Sequence, residues 1–459
     1  MNSHIEREHP DYTSRSLMWR RYRDLYEGGE RIKEHAAEYL MHRHKEPLEI
    51  YRQRLGQFYY ENYLGSIVDW YMATLVREEP VIEFQGSDNK GRAFFSRFAD
   101  NCDLRGTTLT QFYKQVMTDA LICGKAYVLA DFPKVSTPAL TRAEEDASGR
   151  SNAFLTNCPA DEVINWSVDD RGEFEWVVIR TSCFRQDSVQ SLGWKKQERW
   201  VYYDREKYEI HERRTDTDRK IDIVEQGPHG FAGIRKVPIF DIRLSDGLWL
   251  TNKIALLQLE HLNKSNALGW ALTMGLFASP VIYSERDFAQ VIGDSYWVQL
   301  GPNDRFGWTE PEGRVFQIAA ENLDRLKNEI YRVSYVMQQA GNSSTQHSGL
   351  SKQWDFSVTQ EILRAYGDLM KESMRNVLSR IAEARQDSLT IDVVGVDTFD
   401  IADFGSEAND AQSLLNLGIQ SPTLKKQVFK RVALKYLSDA RQEIKNQIAE
   451  EIDRERADQ

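Results

Sequence analysis

Ala120-Leu121-Ile122-Cys123-Gly124-Lys125-Ala126-Tyr127-Val128-Leu129-Ala130-Asp131-Phe132-Pro133 marks the point at which the pattern of the chain changes. Upstream, residues 11–110 are helical in pattern. An aromatic-rich face near helical spacing runs through Tyr59, Tyr60, Tyr63, Ile67, Trp70, Tyr71 and Leu75. Pro47 near the start of that run and Pro80 beyond its end fit a helix that proline can open and stop. From Lys125 onward, apolar runs such as Ala126 to Leu129, Phe174 to Ile179 and Arg199 to Tyr203 read as strands. Turn formers (Asp169-Asp170-Arg171-Gly172 and Gln226-Gly227-Pro228) separate them. A mixed β unit on a helical base follows.

Helical spacing returns at 246–276, with Leu250, Ile254, Leu257 and Leu268 among its apolar positions. Ser279-Pro280 ends it. Residues 281–318 hold Trp297, Gly301-Pro302-Asn303-Asp304-Arg305, Trp308, Pro311 and Gly313, the composition of a small β insertion. The next helix sets Leu323, Leu326, Ile330, Val333 and Met337 on one seam, with Asp324, Lys327, Asn328 and Arg332 away from it. Asn342-Ser343-Ser344-Thr345-Gln346-His347-Ser348-Gly349 is polar and unpatterned. A long helix is expected at 352–385, with Val358, Ile362, Leu369, Val377 and Ile381 as its apolar line. Ile391 to Val394 reads as one short strand, and a charged helical tail follows Phe404.

Composition narrows the classes. At 459 residues, 41% hydrophobic and 28% charged, the chain can fold into several domains. The formal net charge of −11 speaks against a broad basic face that grips nucleic acid. It leaves room for a protein that lets DNA pass without holding it. The 4 cysteines form no CxxC pair, so neither a zinc site nor a disulfide framework is expected, and a reducing compartment suits them. No signal peptide and no bilayer-spanning apolar stretch is visible, so a soluble intracellular protein with no membrane association is expected.

A search for catalytic chemistry finds little. Gly124-Lys125-Ala126 is the nearest approach to a phosphate-binding loop, and it lacks the upstream glycine and the hydroxyl. His35, His42 and His44 cluster without a Cys or carboxylate at ligand spacing and read as surface histidines. Neither a Gly-x-Ser-x-Gly elbow nor an H-E-x-x-H motif occurs. The aromatic line of Tyr59 to Trp70 could stack bases, but without interleaved Lys and Arg it fits core or subunit contact better. No catalytic residue, metal ligand or cofactor is expected, and no enzymatic activity.

Order and spacing of short motifs give a further indication. Tyr22-Arg23-Asp24 with Gly28-Gly29, Tyr39-Leu40, Glu46, Tyr51 to Leu55 and Tyr59 to Asn62 resemble the N-terminal signature of one group of bacteriophage portal proteins. Ala120 to Pro133 looks like that group's "small apolar helix, Gly, strand, Asp-x-Pro" segment. Asp161 to Trp166, Val237-Pro238-Ile239-Phe240, Leu256 to Asn266 and Ser279-Pro280 continue the run up to about Arg385.

The resemblance implies an α+β, mainly helical portal fold of wing, stem, clip and crown, in a ring of about twelve subunits. On this numbering 1–244 and 352–403 would be wing, 245–278 and 319–340 the stem helices, and 279–318 the clip. Residues 341–351 would be the tunnel loop and 404–459 the crown. Asn342, Ser343, Ser344, Thr345, Gln346, His347 and Ser348 would face passing double-stranded DNA. Trp297, Asn303, Asp304, Arg305 and Trp308 would dock the terminase large subunit and later the head–tail adaptor. Major capsid and scaffolding proteins would be further partners, at the capsid vertex of the virion and in the host cytoplasm during assembly. An acidic lumen would suit sliding, since repelled phosphates are not trapped.

From the residues alone, the 342–349 stretch reads equally well as an ordinary helix connection, and the 319–340 helix as an ordinary amphipathic one. Two rivals stand beside the portal: another virion structural or head–tail connector protein, and a nucleic-acid enzyme of the packaging machinery. The latter's motifs are missing.

Overall fold

Pro80 and the alternating Val81-Ile82-Glu83-Phe84-Gln85 that follows it interrupt the helical N-terminal region with a strand. In the computed structural model, five helices precede it: α1 (Pro10–Glu27), α2 (Gly29–Glu34), α3 (Ala36–Tyr39), α4 (Leu48–Gly56) and α5 (Tyr63–Leu75). Next come β1 (Val81–Gln85), α6 (Asn89–Asp100), α7 (Leu109–Cys123), β2 (Lys125–Asp131), β3 (Phe154–Pro159) and β4 (Val163–Val168). β5 (Phe174–Arg185), β6 (Lys195–Asp204), β7 (Lys207–Arg213), β8 (Asp222–Pro228) and β9 (Ile239–Arg243) complete the β-rich region. After it stand α8 (Leu250–Gly275), β10 (Ser279–Tyr283), β11 (Arg305–Thr309), α9 (Gly313–Val333), α10 (Gly349–Arg385), β12 (Thr390–Val394), α11 (Phe404–Asn416) and α12 (Pro422–Tyr436). The structure describes residues 4–77, 79–133, 152–186, 193–213, 221–275, 279–284, 301–309, 313–336, 349–396, 399, 404–417, 419, 421–436, 444–445, 447–448 and 451–452. Helix and sheet are mixed, as expected.

Two units divide the chain. One comprises Met1–Arg23, Ser66–Asn252 and Asn342–Gln459; the other comprises Asp24–Gly65 and Lys253–Gly341.

In the first unit, β4-β5-β6-β7-β8 form an antiparallel sheet in sequence order, as expected of strands joined by short turns. A three-stranded sheet, β3-β2-β9, carries β2 in the middle. All seven residues of β2 are buried, and between Lys125 and Asp131 its run is continuously apolar rather than alternating. Tyr127 and Leu129 of β2 share a core with Val177 and Ile179 of β5, Tyr203 of β6 and Ile210 of β7. Asp88 and Thr108 cap α6 and α7, accepting from the backbone N–H groups of Gly91 (3.0 Å) and Gln111 (3.3 Å). Gly124 ends α7 at φ 77°, its N–H donating to the Ala120 carbonyl, and a Cβ there would meet the Trp249 ring at 2.8 Å.

β1 pairs antiparallel with β12, Val81 opposite Val394 and Gln85 opposite Thr390. The short strand expected at Ile391 to Val394 is present, and its partner lies about three hundred residues away, beyond the reach of any local pattern. The long helix α10 buries Leu363, Tyr366, Met370, Met374, Val377 and Ile381. That stripe corrects the expected line: Val377 and Ile381 belong to it, whereas Val358 is exposed and Ile362 and Leu369 are half-buried. The packed face is centred on Tyr366, whose hydroxyl donates to the Leu248 carbonyl (2.5 Å).

The second unit contains α2, α3, α4, α9 and the β10–β11 hairpin, with most of α8. α4 ends at Gly56 and α5 begins at Tyr63, so Tyr59 and Tyr60 of the expected helical face lie instead in a connector, residues 57–62. In α9, Leu326 and Ile330 of the expected seam are buried, while Asp324, Asn328 and Arg332 are exposed. The helix starts at Gly313, so Val315 and Ile318, assigned to the β insertion on sequence, are helical and exposed.

Candidate functional site

Two helices bracketing a hairpin form the candidate site of the second unit. β10 and β11 pair from Ser279 opposite Thr309 to Tyr283 opposite Arg305. A turn feeds β11: the Asp304 carboxylate accepts from the Gly301 N–H (2.7 Å), and the Asp304 N–H donates back to the Gly301 carbonyl (3.1 Å). Asn303 and Arg305 are exposed at this turn, beside exposed Tyr283. Asn303, Asp304 and Arg305 therefore come together, with Trp308 further along the same strand opposite Pro280. Trp297 lies outside the described residues, as do Asn342, Ser343, Ser344, Thr345, Gln346, His347 and Ser348.

The helices beside this hairpin are tied by polar and aromatic contacts. Lys264 of α8 reaches Asn322 of α9 (3.0 Å) and pairs with Glu260 (2.9 Å). His261 meets the Tyr63 ring edge-on at 5.0 Å, Tyr63 meets Tyr331 at 6.0 Å, and the Lys327 ammonium lies 5.8 Å from the Tyr63 ring. Burial pulls His261 down and pushes the Tyr63 phenol up, so both are neutral at pH 7. On the exposed side of α9, Arg332 pairs with Glu329 (2.6 Å) and holds that carboxyl below its usual range.

A row of polar side chains on α8, which sequence inspection missed, holds the 57–62 connector in place. Asn266 accepts from the Tyr59 N–H (3.2 Å) and donates to the Tyr59 carbonyl (2.8 Å). Gln258 does the same with the Leu64 N–H and the Glu61 carbonyl (3.2 and 2.8 Å), and Asn263 donates to the Tyr39 carbonyl (3.0 Å). An extended segment without strand partners needs such donors and acceptors. Gln258, His261, Asn263 and Asn266 at helical spacing were the signal that could have disclosed it.

Several motif residues prove to be structural anchors. Asp24, fully buried, accepts from Arg31 (2.7 Å) and the Tyr39 hydroxyl (2.6 Å), and Glu46 pairs with buried Arg54 (2.8 Å). Tyr60 donates to the Leu25 carbonyl and Asn62 to that of Tyr26 (2.7 Å each).

In the first unit, Arg23 bridges Asp119 (2.9 Å) and Asp161 (3.0 Å). Asn157 donates to the other Asp119 oxygen (2.7 Å). Neighbouring Glu162 is raised to about 7 by burial and by Asp161. Lys125, the residue of the incomplete phosphate loop, lies among aromatic rings at 4.9 Å from Trp19, 5.4 Å from Tyr127 and 4.4 Å from Trp166. Burial lowers it to about 8.

His35 lies 2.9 Å from Asp24 and His42 packs edge-on against Tyr51. Among the described residues no group of three His, Cys, Asp or Glu side chains could hold a metal ion, and no helix is long and apolar enough to cross a membrane. Cys102, Cys123 and Cys158 are buried and Cys183 is exposed, all with free thiols. What the second unit offers chemically is an exposed turn with polar groups on a braced pair of helices.

No family model matches the chain, and no curated protein does. Among solved structures, the neck of an empty gene transfer agent (GTA) particle, computed with C6 symmetry, is similar at 12% identity and a TM-score of 0.44, covering 78% of this chain and 87% of that one. The virion of the native gene transfer agent particle gives 11% identity and a TM-score of 0.40, covering 77% and 84%. The neck of the native particle, computed with C12 symmetry, gives 11% and 0.36, covering 80% and 90%.

Proposed function

We propose that this chain is the portal subunit of a tailed double-stranded DNA phage, about twelve copies of which surround a channel for genome packaging and ejection. The observation that carries the proposal is the α8–hairpin–α9 arrangement: two helices on either side of an antiparallel hairpin that exposes Tyr283, Asn303 and Arg305, in the unit without the five-stranded sheet. The order helix, hairpin, helix supports the stem and clip reading that the motif resemblance implies, with α9 beginning at Gly313 rather than at residue 319. In this reading α8 and α9 are the stem helices and the β10–β11 hairpin belongs to the clip, where Asn303, Asp304, Arg305 and Trp308 dock terminase and then the adaptor. The tunnel loop lies within residues 341–351, the last three of which open α10. The crown is residues 404–459, and the β-rich region with α10 belongs to the wing, facing capsid and scaffolding proteins.

The chain acts as a conduit and docking hub with no chemistry of its own; the energy for packaging comes from a separate ATPase. A net charge of −11 per copy suits a channel that DNA traverses without being bound. The test is the native mass of the purified chain together with imaging down the assembly axis. A closed ring of about twelve subunits is expected. Material that stays a single subunit at every concentration and salt overturns the proposal.

A further inference from the structure

The five-stranded sheet carries two unlike surfaces that fit each other. β4 pairs with β5 only over Phe174–Ile179, and β7 pairs with β6 only over 198–203. Beyond them, residues 182–185 and 195–197 continue as a two-stranded ribbon, with Cys183 opposite Gln197, Phe184 opposite Lys196 and Arg185 opposite Lys195. Two-stranded ribbons are marginal in water. This one nonetheless exposes Phe184 (67%), Lys196 and, just before its second strand, Trp194 (68%), with Lys196 lying 3.7 Å from Glu198. The sequence puts two further cations, Arg185 and Lys195, opposite one another in its register. A ribbon whose last positions are cationic in sequence and which exposes two aromatic rings, on a chain of net charge −11, calls for an acidic, partly apolar partner.

β8 has those properties. It ends the sheet, and among the described residues no strand pairs with its outer edge. It exposes Ile223 (52%) and Val224 (40%) between Asp222 and Glu225, and Glu225 is steadied by the Tyr208 hydroxyl (2.7 Å). An open strand edge offers backbone donors and acceptors to an incoming strand.

We infer that the cationic, aromatic ribbon of one copy lies on the acidic, apolar edge strand β8 of a second copy of this chain. The inference rests on the ring reading and deepens it by naming a contact between neighbours. Ribbon and edge are different surfaces, so the contact is head-to-tail, the kind that closes into a ring rather than a two-fold dimer.

The exposed thiol of Cys183 supplies the test, because the other three cysteines are buried. Ile223→Cys places a second thiol on β8. Within one copy β5 and β8 are three strand spacings apart, roughly 14 Å, well beyond disulfide reach. Mild oxidation of the assembled Ile223→Cys chain should therefore give a ladder of linked copies on a non-reducing gel, absent when Cys183→Ser is added. A ring of correct native mass that remains unlinked overturns this inference and leaves the ring reading standing. Single subunits before oxidation overturn both.

A second variant reads the charges without a thiol. Lys195→Glu with Lys196→Glu should weaken assembly at least tenfold at low salt, and adding Asp222→Lys with Glu225→Lys should restore it. Unchanged assembly of the first variant means that the ribbon serves another partner, and the inference fails.

Discussion

The Lys125 ammonium stands 4.4 Å from the centre of the Trp166 ring, whose other neighbour is the His9 imidazole, stacked at 4.0 Å. A lysine that in another context would contact phosphate is spent here on an aromatic surround. Its folded value of about 8 lies below its ordinary 10.5, so between those pH values the unfolded chain holds the extra proton. Its contribution to stability therefore grows as pH rises through that window and is least below pH 8. Urea unfolding from pH 7 to 10.5 should show Lys125→Met losing about 2 kcal/mol of its advantage over the parent chain. Parallel curves for the two chains would contradict the assignment.

Arg23 neutralises Asp119 and Asp161 together. Arg23→Ala should cost about 3–5 kcal/mol, because the buried Asp119 carboxylate loses its cation. Arg23→Lys should recover less than half of that, since one ammonium cannot reproduce the fork. Chemical denaturation of the three chains decides the matter.

Asn266 satisfies both backbone groups of Tyr59. Asn266→Leu keeps the size and removes the partners, and should destabilise the chain by about 2 kcal/mol, with faster amide exchange over residues 57–62. Protection equal to the parent's would show that the connector is held by other means.

Deleting residues 343–348 should leave the number of subunits in the ring unchanged and lower the DNA content of filled particles. Normal filling would rule out the tunnel-loop role of Asn342 to Ser348.

Trp308→Asp in the β11 strand should weaken binding of terminase or adaptor to the assembled ring about tenfold. Equal affinity, measured on rings of unchanged mass, would remove Trp308 from the docking surface.

Local patterns carried much of the architecture. The period changed at Gly124 because an αL cap and a buried strand demand different residues, and the amphipathic seam of α9 was visible at Leu326 and Ile330. What escaped is non-local. β1 could not be paired with β12 because its partner lies at the far end of the chain. The grouping of Asp24–Gly65 with Lys253–Gly341 depends on amides of α8 reaching a connector some two hundred positions upstream. The stripe of α10 was misjudged because Tyr366 and the methionines Met370 and Met374 counted for less than Val358 and Ile362. For the candidate site, the sequence disclosed Asn303, Asp304, Arg305 and Trp308 as one segment but not the bracing of the helices beside it.

The indole of Trp249 covers Gly124, and its N–H donates to the Ile122 carbonyl (3.1 Å) one residue before α8 begins. Mechanically this is a rivet at the root of a lever. The Leu244 N–H donates to the Gly124 carbonyl as well (2.9 Å), so the residues that lead into α8 are fastened to the α7–β2 elbow by more than one bond.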